Sequence, residues 1–360
     1  MNLKTLTLNN FRNYKKEKLI PLNGLNILYG KNAQGKTNIV EAIYYLSTGK
    51  SFRTTRDTQL IMFNSEYAYI KAEFMTKAGK NSEEAMIKDD GAKSFKINSM
   101  PVKKLGHLFG NFSCIAFTPE DIKAIKETPS LRRKLIDVEI SKIKPSYFFE
   151  LKEYYKTLAE KNALLKSKIG EEQKRLISVY NEQLAKNAKV IISLRDIFIK
   201  ELENDFKEIY WFLSGNKKNA ELKYKPCVSL NNIEENFLEK LNSNLQREIN
   251  YKQSFIGPHK EDMVFYLDEK EVKSFCSQGQ QRTIMLAYKL SVMNIIKKRT
   301  DESPVLILDD VFSELDFDRQ KSLTKFLSSS QVFITTAVPI NVKESHKAFI
   351  ISEGRVKEKQ

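Results

Sequence analysis

The chain is poor in residues that staple, ligate or interrupt a fold: three cysteines, one tryptophan, three histidines, nine prolines and 13 glycines in 360 residues. Cys114, Cys227 and Cys276 are scattered, odd in number and form no CxxC pair, which argues against a disulfide framework. With only His107, His259 and His346 to add imidazole, a structural zinc site is disfavoured too. No apolar run approaches the roughly 20 residues of a bilayer span. The opening Met1-Asn2-Leu3-Lys4-Thr5-Leu6 lacks the apolar core of a secretory leader. The expectation is a soluble protein of the reducing cytoplasm, with no membrane partner. Acids are also short: 45 Asp+Glu against 60 Lys+Arg leave a net charge of +15. That surplus favours a polyanionic partner, nucleic acid or an acidic membrane surface, although a lysine-rich solvated surface has the same arithmetic. What is plentiful is core material, 41% hydrophobic residues, enough for one large or two ordinary domains.

Glycine, scarce elsewhere, is placed with purpose at Gly30-Lys31-Asn32-Ala33-Gln34-Gly35-Lys36-Thr37, a G-x-x-x-x-G-K-T phosphate loop continued by Asn38. Leu25-Asn26-Ile27-Leu28-Tyr29 before it has the character of a buried strand. Asn38–Leu46 after it puts apolar residues on one helical face. Gly30 and Gly35 let the backbone wrap an anion, and the freed N–H groups and helix start point at phosphate. Lys36 reaches the outer phosphates and the Thr37 hydroxyl can ligate Mg²⁺. The expectation is a nucleoside-triphosphate site, with ATP and Mg²⁺ as cofactors.

In chain order, residues 3–9 alternate as a first strand, and a second is expected around Lys18–Pro21. Tyr67–Phe74, Ala85–Asp89 and Ser94–Ile97 read as short antiparallel strands, with Asp89-Asp90-Gly91 as a hairpin turn. Ile115–Phe117 is another strand, after which Thr118-Pro119-Glu120-Asp121 opens a helix with cap chemistry. From there to Ser214 the only glycine is Gly170. Phe148, Leu151, Tyr155, Leu158, Asn162, Leu165 and Ile169, then Ile177, Tyr180, Leu184, Asn187, Ile191, Leu194 and Phe198, follow two 3-4 tracts. They predict an antiparallel helical hairpin, too short for a long coiled-coil arm. Further on come a strand at Ala220–Tyr224, a helix at Ile233–Asn250 and a strand at Met263–Leu267 turning at Asp268-Glu269. Gly257-Pro258-His259-Lys260-Glu261-Asp262 reads as a turn with a charge cluster.

Ser277-Gln278-Gly279-Gln280, ahead of a helix from Ile284 to about Lys298, makes a second anion-facing cap. Val305–Leu308 is a continuous apolar strand ending in Asp309-Asp310, the expected second half of a phosphate-loop site. Asp309 would hold Mg²⁺ and Asp310 would orient or deprotonate the attacking water. Gln331–Thr336 is the next parallel strand, and Ala348–Ile351 with the turn Ser352–Arg355 closes the sheet.

Phosphate loop, long insertion, S-x-G-Q, strand-Asp-Asp and the S-x-L-D of Ser313–Asp316 is the order of an ABC-type ATPase head. The fold class expected is α/β, an ABC-type P-loop ATPase head with a mixed sheet and helices, carrying an inserted all-helical lobe. Lobe I is residues 1–120 plus 215–360 and lobe II is 121–214. Within that class seven tracts together resemble the bacterial RecF recombination-mediator family of the SMC-like group. They are Asn10-Phe11-Arg12-Asn13-Tyr14, the phosphate loop, Lys50-Ser51-Phe52-Arg53, Phe117–Asp121, Arg132-Arg133 with Asp137, Gly257–Asp262 and Leu308–Asp316. The resemblance runs from Asn10 to about Thr336.

The resemblance implies a weak, DNA-stimulated ATPase acting as a switch in recombinational repair and at stalled forks. It implies DNA as ligand, RecR- and RecO-type partners, and help in loading the RecA recombinase at single-strand gaps. It implies a head-to-head homodimer in which Ser277, the Gly279 N–H and Gln280 cap the triphosphate held by Lys36 of the other copy, and it places Arg12 near the nucleotide. Asp310 stands where the wider class has glutamate, one methylene longer, which implies slow turnover. Thr336 stands near a position where transporter-type heads carry a switch histidine. Arg53, Arg56, Lys123, Lys126, Arg132 and Arg133 flank the insertion without apolar periodicity and are the candidates for DNA contact. The alternatives are a transporter ATPase subunit, which should carry glutamate at 310 and histidine near 336, and a chromosome-organising ATPase, which should carry a far longer coiled coil.

Overall fold

The computed structural model describes residues 1–215, 218–312, 320, 323, 330–338 and 345–359. At its centre a six-stranded sheet runs in the order Arg355–Lys359, His346–Ser352, Leu25–Tyr29, Val332–Thr336, Val305–Asp309, Cys114–Phe117. All but the Arg355–Lys359 edge strand are parallel. Registers Asp309↔Thr335, Thr335↔Leu28 and Thr336↔Tyr29 bring the carboxyl ends of three central strands to one level.

Both faces of this sheet are covered, as parallel strands require. Alternation along each strand splits its side chains between two cores. Ile27, Ile115, Phe117, Leu306, Leu308, Val332 and Ile334 join the core beneath the long helices. Leu28, Cys114, Ala116, Val305, Ile307 and Phe333 join the one around the phosphate-loop helix Lys36–Thr48. The continuous apolar run Val305–Leu308 thus serves two cores with one strand.

The second core is closed by an antiparallel six-stranded sheet, ordered Tyr14–Leu19, Asn2–Phe11, Tyr67–Thr76, Gly79–Lys88, Lys93–Ile97, Met100–Pro101. The strand expected at Lys18–Pro21 lies instead at Tyr14–Leu19, pairing Phe11 with Tyr14 and Leu6 with Leu19. Pro21, with no N–H to give, falls outside the ladder. The expected turn at Asp89–Gly91 is present, closed by Gly91 N–H donating to the Lys88 carbonyl at 3.0 Å.

The helical hairpin is present as Pro145–Leu164 and Glu171–Leu213. The second helix has 43 residues and outruns its expected end at Phe198, because Leu202, Phe206, Ile209 and Leu213 continue the buried stripe. The helix expected at Ile233–Asn250 is two, Ile233–Ser243 and Leu245–Tyr251. Asn244 breaks it, its amide donating back to the Lys240 carbonyl at 2.9 Å. A three-stranded antiparallel sheet, ordered Lys270–Glu271, Asp262–Leu267, Ala220–Lys225, also rests on the long helix.

The Gly257–Asp262 turn is not a solvent-facing charge cluster. Glu261 is buried and accepts from Arg195 at 2.8 Å, from the Tyr224 hydroxyl at 2.6 Å and from Cys227 N–H at 3.0 Å. The same fully buried guanidinium holds Asp137 through two bonds of 3.0 and 2.9 Å. A buried carboxylate is retained only when paired this way, so the network ties Pro129–Ile143, the long helix and the Gly257 turn together.

Candidate nucleotide-binding site

The phosphate loop leaves the central strand at Tyr29 and enters the helix Lys36–Thr48 through Gly35, whose φ of 117° favours glycine. A Cβ there would sit 2.7 Å from both the Asn13 amide and the Tyr14 hydroxyl. Those two side chains are the loop's support. Tyr14 Oη donates to the Gly35 carbonyl at 3.0 Å, and Asn13 Nδ2 donates to the Gln34 carbonyl at 2.9 Å. Asn13 Oδ1 accepts from Asn38 at 2.8 Å. A third support comes from the other end of the chain, where Glu353 N–H donates to Gln34 Oε1 at 2.7 Å and Gly354 N–H to its carbonyl at 3.4 Å. Gly354 has φ 68°, and a Cβ there would overlap the Asn13 carbonyl oxygen.

Lys36 Nζ donates to the loop's own Gly30 and Lys31 carbonyls at 2.6 and 2.9 Å. Burial lowers its pKa, opposed by the charges of Asp310 and Asp309. Across the sheet, Thr37 Oγ1 donates to Asp309 Oδ1 at 3.0 Å and Thr335 Oγ1 to the same oxygen at 2.6 Å. Burial raises the Asp309 carboxyl above its ordinary range. Asp310 turns out of the strand at φ 55°, its N–H donating to Thr335 Oγ1 at 2.9 Å, and its side chain is exposed. Asn32, Ala33, Gly35, Lys36, Thr37, Asn38, Arg53, Asp310 and Thr335 line a cavity of about 370 Å³.

Loop backbone, a buried lysine, Thr37, Thr335 and Asp310 therefore line one concavity, and buried Asp309 accepts hydrogen bonds from both of those threonine hydroxyls. Thr37 and Asp309 fit a hard divalent cation: both offer oxygen, they already touch, and burial makes Asp309 costly to ionise without a cation nearby. Two protein oxygens leave the remaining positions of such an ion to phosphate and water.

Several side chains are elsewhere than expected. Arg12 reaches the phosphate-loop helix rather than the cavity, giving two bonds to buried Glu41, at 2.9 and 2.7 Å, and one to the Gln59 carbonyl at 2.9 Å. Arg53, a DNA candidate from the sequence, lines the nucleotide cavity, where it donates to Asn38 Oδ1 at 2.8 Å and lies 3.6 Å from Glu41. Arg132 is 5% exposed and spends its guanidinium on Asp262, at 2.7 and 2.8 Å, and on the Ala124 carbonyl. It is not presented to any polyanion, and this corrects its place among the DNA candidates. Arg133 is half-buried and donates to the Glu261 carbonyl at 2.5 Å. Arg56, Lys123 and Lys126 are exposed, Lys123 beside Glu120 at 2.5 Å. The Thr336 hydroxyl closes on Val338, so the hydroxyl that faces the cavity is that of Thr335.

Ser277 caps the helix Gln278–Thr300, which starts earlier than the expected Ile284. Its Oγ accepts from Gln280 N–H at 3.3 Å and its N–H donates to Gln280 Oε1 at 2.9 Å, a reciprocal capping box. Ser277 and Gly279 are exposed, and neither lines the phosphate-loop cavity. The S-x-L-D tract Ser313–Asp316 lies outside the described residues. Sequence reading assigned no role to Asn13, Tyr14, Glu41, Thr335, Glu353 or Gly354. An acid inside the buried helix run was the one available signal, for Glu41.

This fold and site define an ABC-type ATPase head. The family model RecF/RecN/SMC N terminal domain matches residues 2–359. The SMC head domain of Pyrococcus furiosus shares the fold, with TM-score 0.60 at 18% identity over 99% of this chain and 95% of that one. A solved structure of the recombination mediator protein RecF-ATP in the RecFOR pathway is nearer, with TM-score 0.93 and 36% identity over 100% of this chain and 98% of that one. Curated proteins named DNA replication and repair protein RecF are similar along almost the whole length. That of Clostridioides difficile is 43% identical over 94% of this chain and 92% of its own, and that of Clostridium beijerinckii 39% over 99% and 98%. The chain belongs to the RecF family.

Proposed function

We propose that this chain is an ATP-dependent DNA-binding switch of recombinational repair and replication-fork maintenance. The observation that carries the reading is the Lys36–Thr37–Asp309 constellation inside a family whose relatives are named for DNA replication and repair. ATP docks its phosphates on the loop's N–H groups and Lys36. Mg²⁺, when bound, supplies charge neutralisation at the phosphates, and Thr37 and Asp309 are the residues that would hold it. Asp310, held by its N–H on Thr335, orients a water, and Arg53 adds positive charge across the cavity from Lys36. The short Asp310 carboxylate supports slow hydrolysis suited to a timer.

Ser277 and Gly279 stand exposed and Gln280 half-buried at a helix start, which suits capping the triphosphate of a second copy, so ATP joins two heads. Exposed Arg56, Lys123 and Lys126 and the +15 surplus supply DNA contact, and RecR- and RecO-type proteins are the partners in loading RecA recombinase. The helices of 121–214 form lobe II, and 1–120 with 215–360 form lobe I. No helix among the described residues is long and apolar enough to cross a membrane, which fits cytoplasmic work. The decisive measurement is the solution mass with ATP and Mg²⁺, with and without DNA, followed by DNA binding across a salt series. The expected result is a dimer only with ATP and DNA affinity that falls steeply with salt. Binding indifferent to both nucleotide and salt would overturn the reading.

A further inference from the structure

A second concavity, about 530 Å³, opens between the end of the phosphate-loop helix and the helices Pro129–Ile143 and Pro145–Leu164. Nothing in the nucleotide chemistry uses it. Its apolar wall is Tyr44, Phe52, Phe109, Leu135, Phe148 and Leu151. Its charged lining is of two kinds. The carboxylates are matched: Glu139 and Asp121 by Lys289 at 3.5 and 3.0 Å, Asp137 by Arg195 at 2.9 Å, Glu120 by Lys123 at 2.5 Å. Lys50, Lys134 and Lys152 are exposed and make no ion pair among the described residues.

We propose that this cleft is a docking site for an acidic peptide segment of a partner protein, one that carries an apolar anchor beside its carboxylates. The anchor fills the aromatic wall while the carboxylates meet Lys50, Lys134 and Lys152. The lysines give the charge complementarity, and each lining carboxylate already has a cation within 3.5 Å, Glu139 a second one in Lys142 at 2.8 Å. At Lys50, burial and then the neighbouring charges of Lys134 and Lys93 push the pKa down against the pull of Asp57, and an incoming anion would oppose that shift. A nucleic-acid strand suits the cleft less well. Bases stack on aromatic faces, but Leu135 and Leu151 offer none and suit an aliphatic anchor. Ser51, which also lines the cleft, bonds Glu41, and Arg53 two residues on lines the nucleotide cavity, so the two concavities share one short segment.

The test is fluorescence anisotropy of the full chain with a fluorescein-labelled octapeptide of four aspartates followed by alternating leucine and phenylalanine, at about 0.15 M salt. Saturable binding is expected, about tenfold weaker for an all-aspartate octapeptide and about tenfold weaker in the double variant Lys50→Glu, Lys134→Glu. Retained ATP binding by that variant reports that it is folded, and Lys152→Glu is the independent second variant. The proposal is overturned by absence of saturable binding, by equal binding of the all-aspartate peptide, by affinity unmoved in both variants, or by a lysine-dependent site that prefers oligothymidylate to the mixed peptide.

Discussion

The two segments that the proposed ATP-joined dimer would bring together are built in opposite ways. The Gly30–Thr37 half is held from three directions, by Asn13 and Tyr14, by Glu353 and Gly354, and by Asp309 and Thr335, and its lysine is buried. The Ser277–Gln280 half is held by its own capping box and by bonds from the following turn of its helix, and Ser277 and Gly279 face solvent. The first spends its hydrogen bonds in advance on the geometry that a phosphate needs. In the second, the Ser277 and Gln280 N–H groups are satisfied by each other's side chains. In the proposed dimer, the exposed segment carries no desolvation cost until the two heads meet.

The sharpest way to break the contrast is Lys36→Met, expected to cost about 100-fold or more in ATP affinity by calorimetry, with the fold kept. Ser277→Arg should do the reverse. ATP binding persists while ATP-driven dimerisation, followed by light scattering, is lost, and dimers surviving in that variant would remove Ser277 from the trans contact. Asp310→Asn should leave ATP affinity in place and slow hydrolysis about 100-fold. The bracing of the first half is probed by Gly354→Val. It forces a side chain against the Asn13 carbonyl at φ 68° and is expected to weaken ATP binding about tenfold, with a far smaller loss in dimerisation once ATP is saturating.

The smallest effect should touch both halves alike. Burial, with lesser repulsion from Lys260, Arg133 and Lys161, pushes His259 from 6.5 down to about 4, against the pull of the Ser254 carbonyl. The unfolded chain therefore binds a proton that the folded chain refuses. Stability on this account is full above about pH 6.5 and falls towards pH 4, by about 2 kcal/mol at pH 5. Urea midpoints at pH 7 and pH 5 for the native chain and His259→Gln would measure it, the variant showing the flatter response.

The phosphate loop, the Asp309 strand and the helical hairpin were legible in the sequence because each is a local pattern: glycine spacing, an apolar run with acids at its end, a 3-4 stripe. What supports the loop was not. Asn13 and Gly354 meet Gln34 across 21 and 319–320 residues, and no periodicity encodes a contact of that separation. Arg53 and Arg132 show a related limit. Both sit in basic stretches without apolar rhythm, yet their carboxylate neighbours Glu41 and Asp262 accompany different settings, Arg53 lining the phosphate-loop cavity and Arg132 paired with a half-buried carboxylate. The Gly257–Asp262 turn read only as a charge cluster because its partner, Arg195, lies 66 residues from Glu261 on the long helix.

The strand Leu25–Tyr29 has as its only ladder neighbours among the described residues Val332–Thr336 and His346–Ser352. On a ribosome adding about 5–20 residues per second, the segment that carries the phosphate loop waits roughly 15 to 60 s for a sheet to join. Until then it is an apolar strand with two bare edges, in need of shelter. A polypeptide broken off before residue 332 lacks both strands that flank Leu25–Tyr29, however intact its G-x-x-x-x-G-K-T.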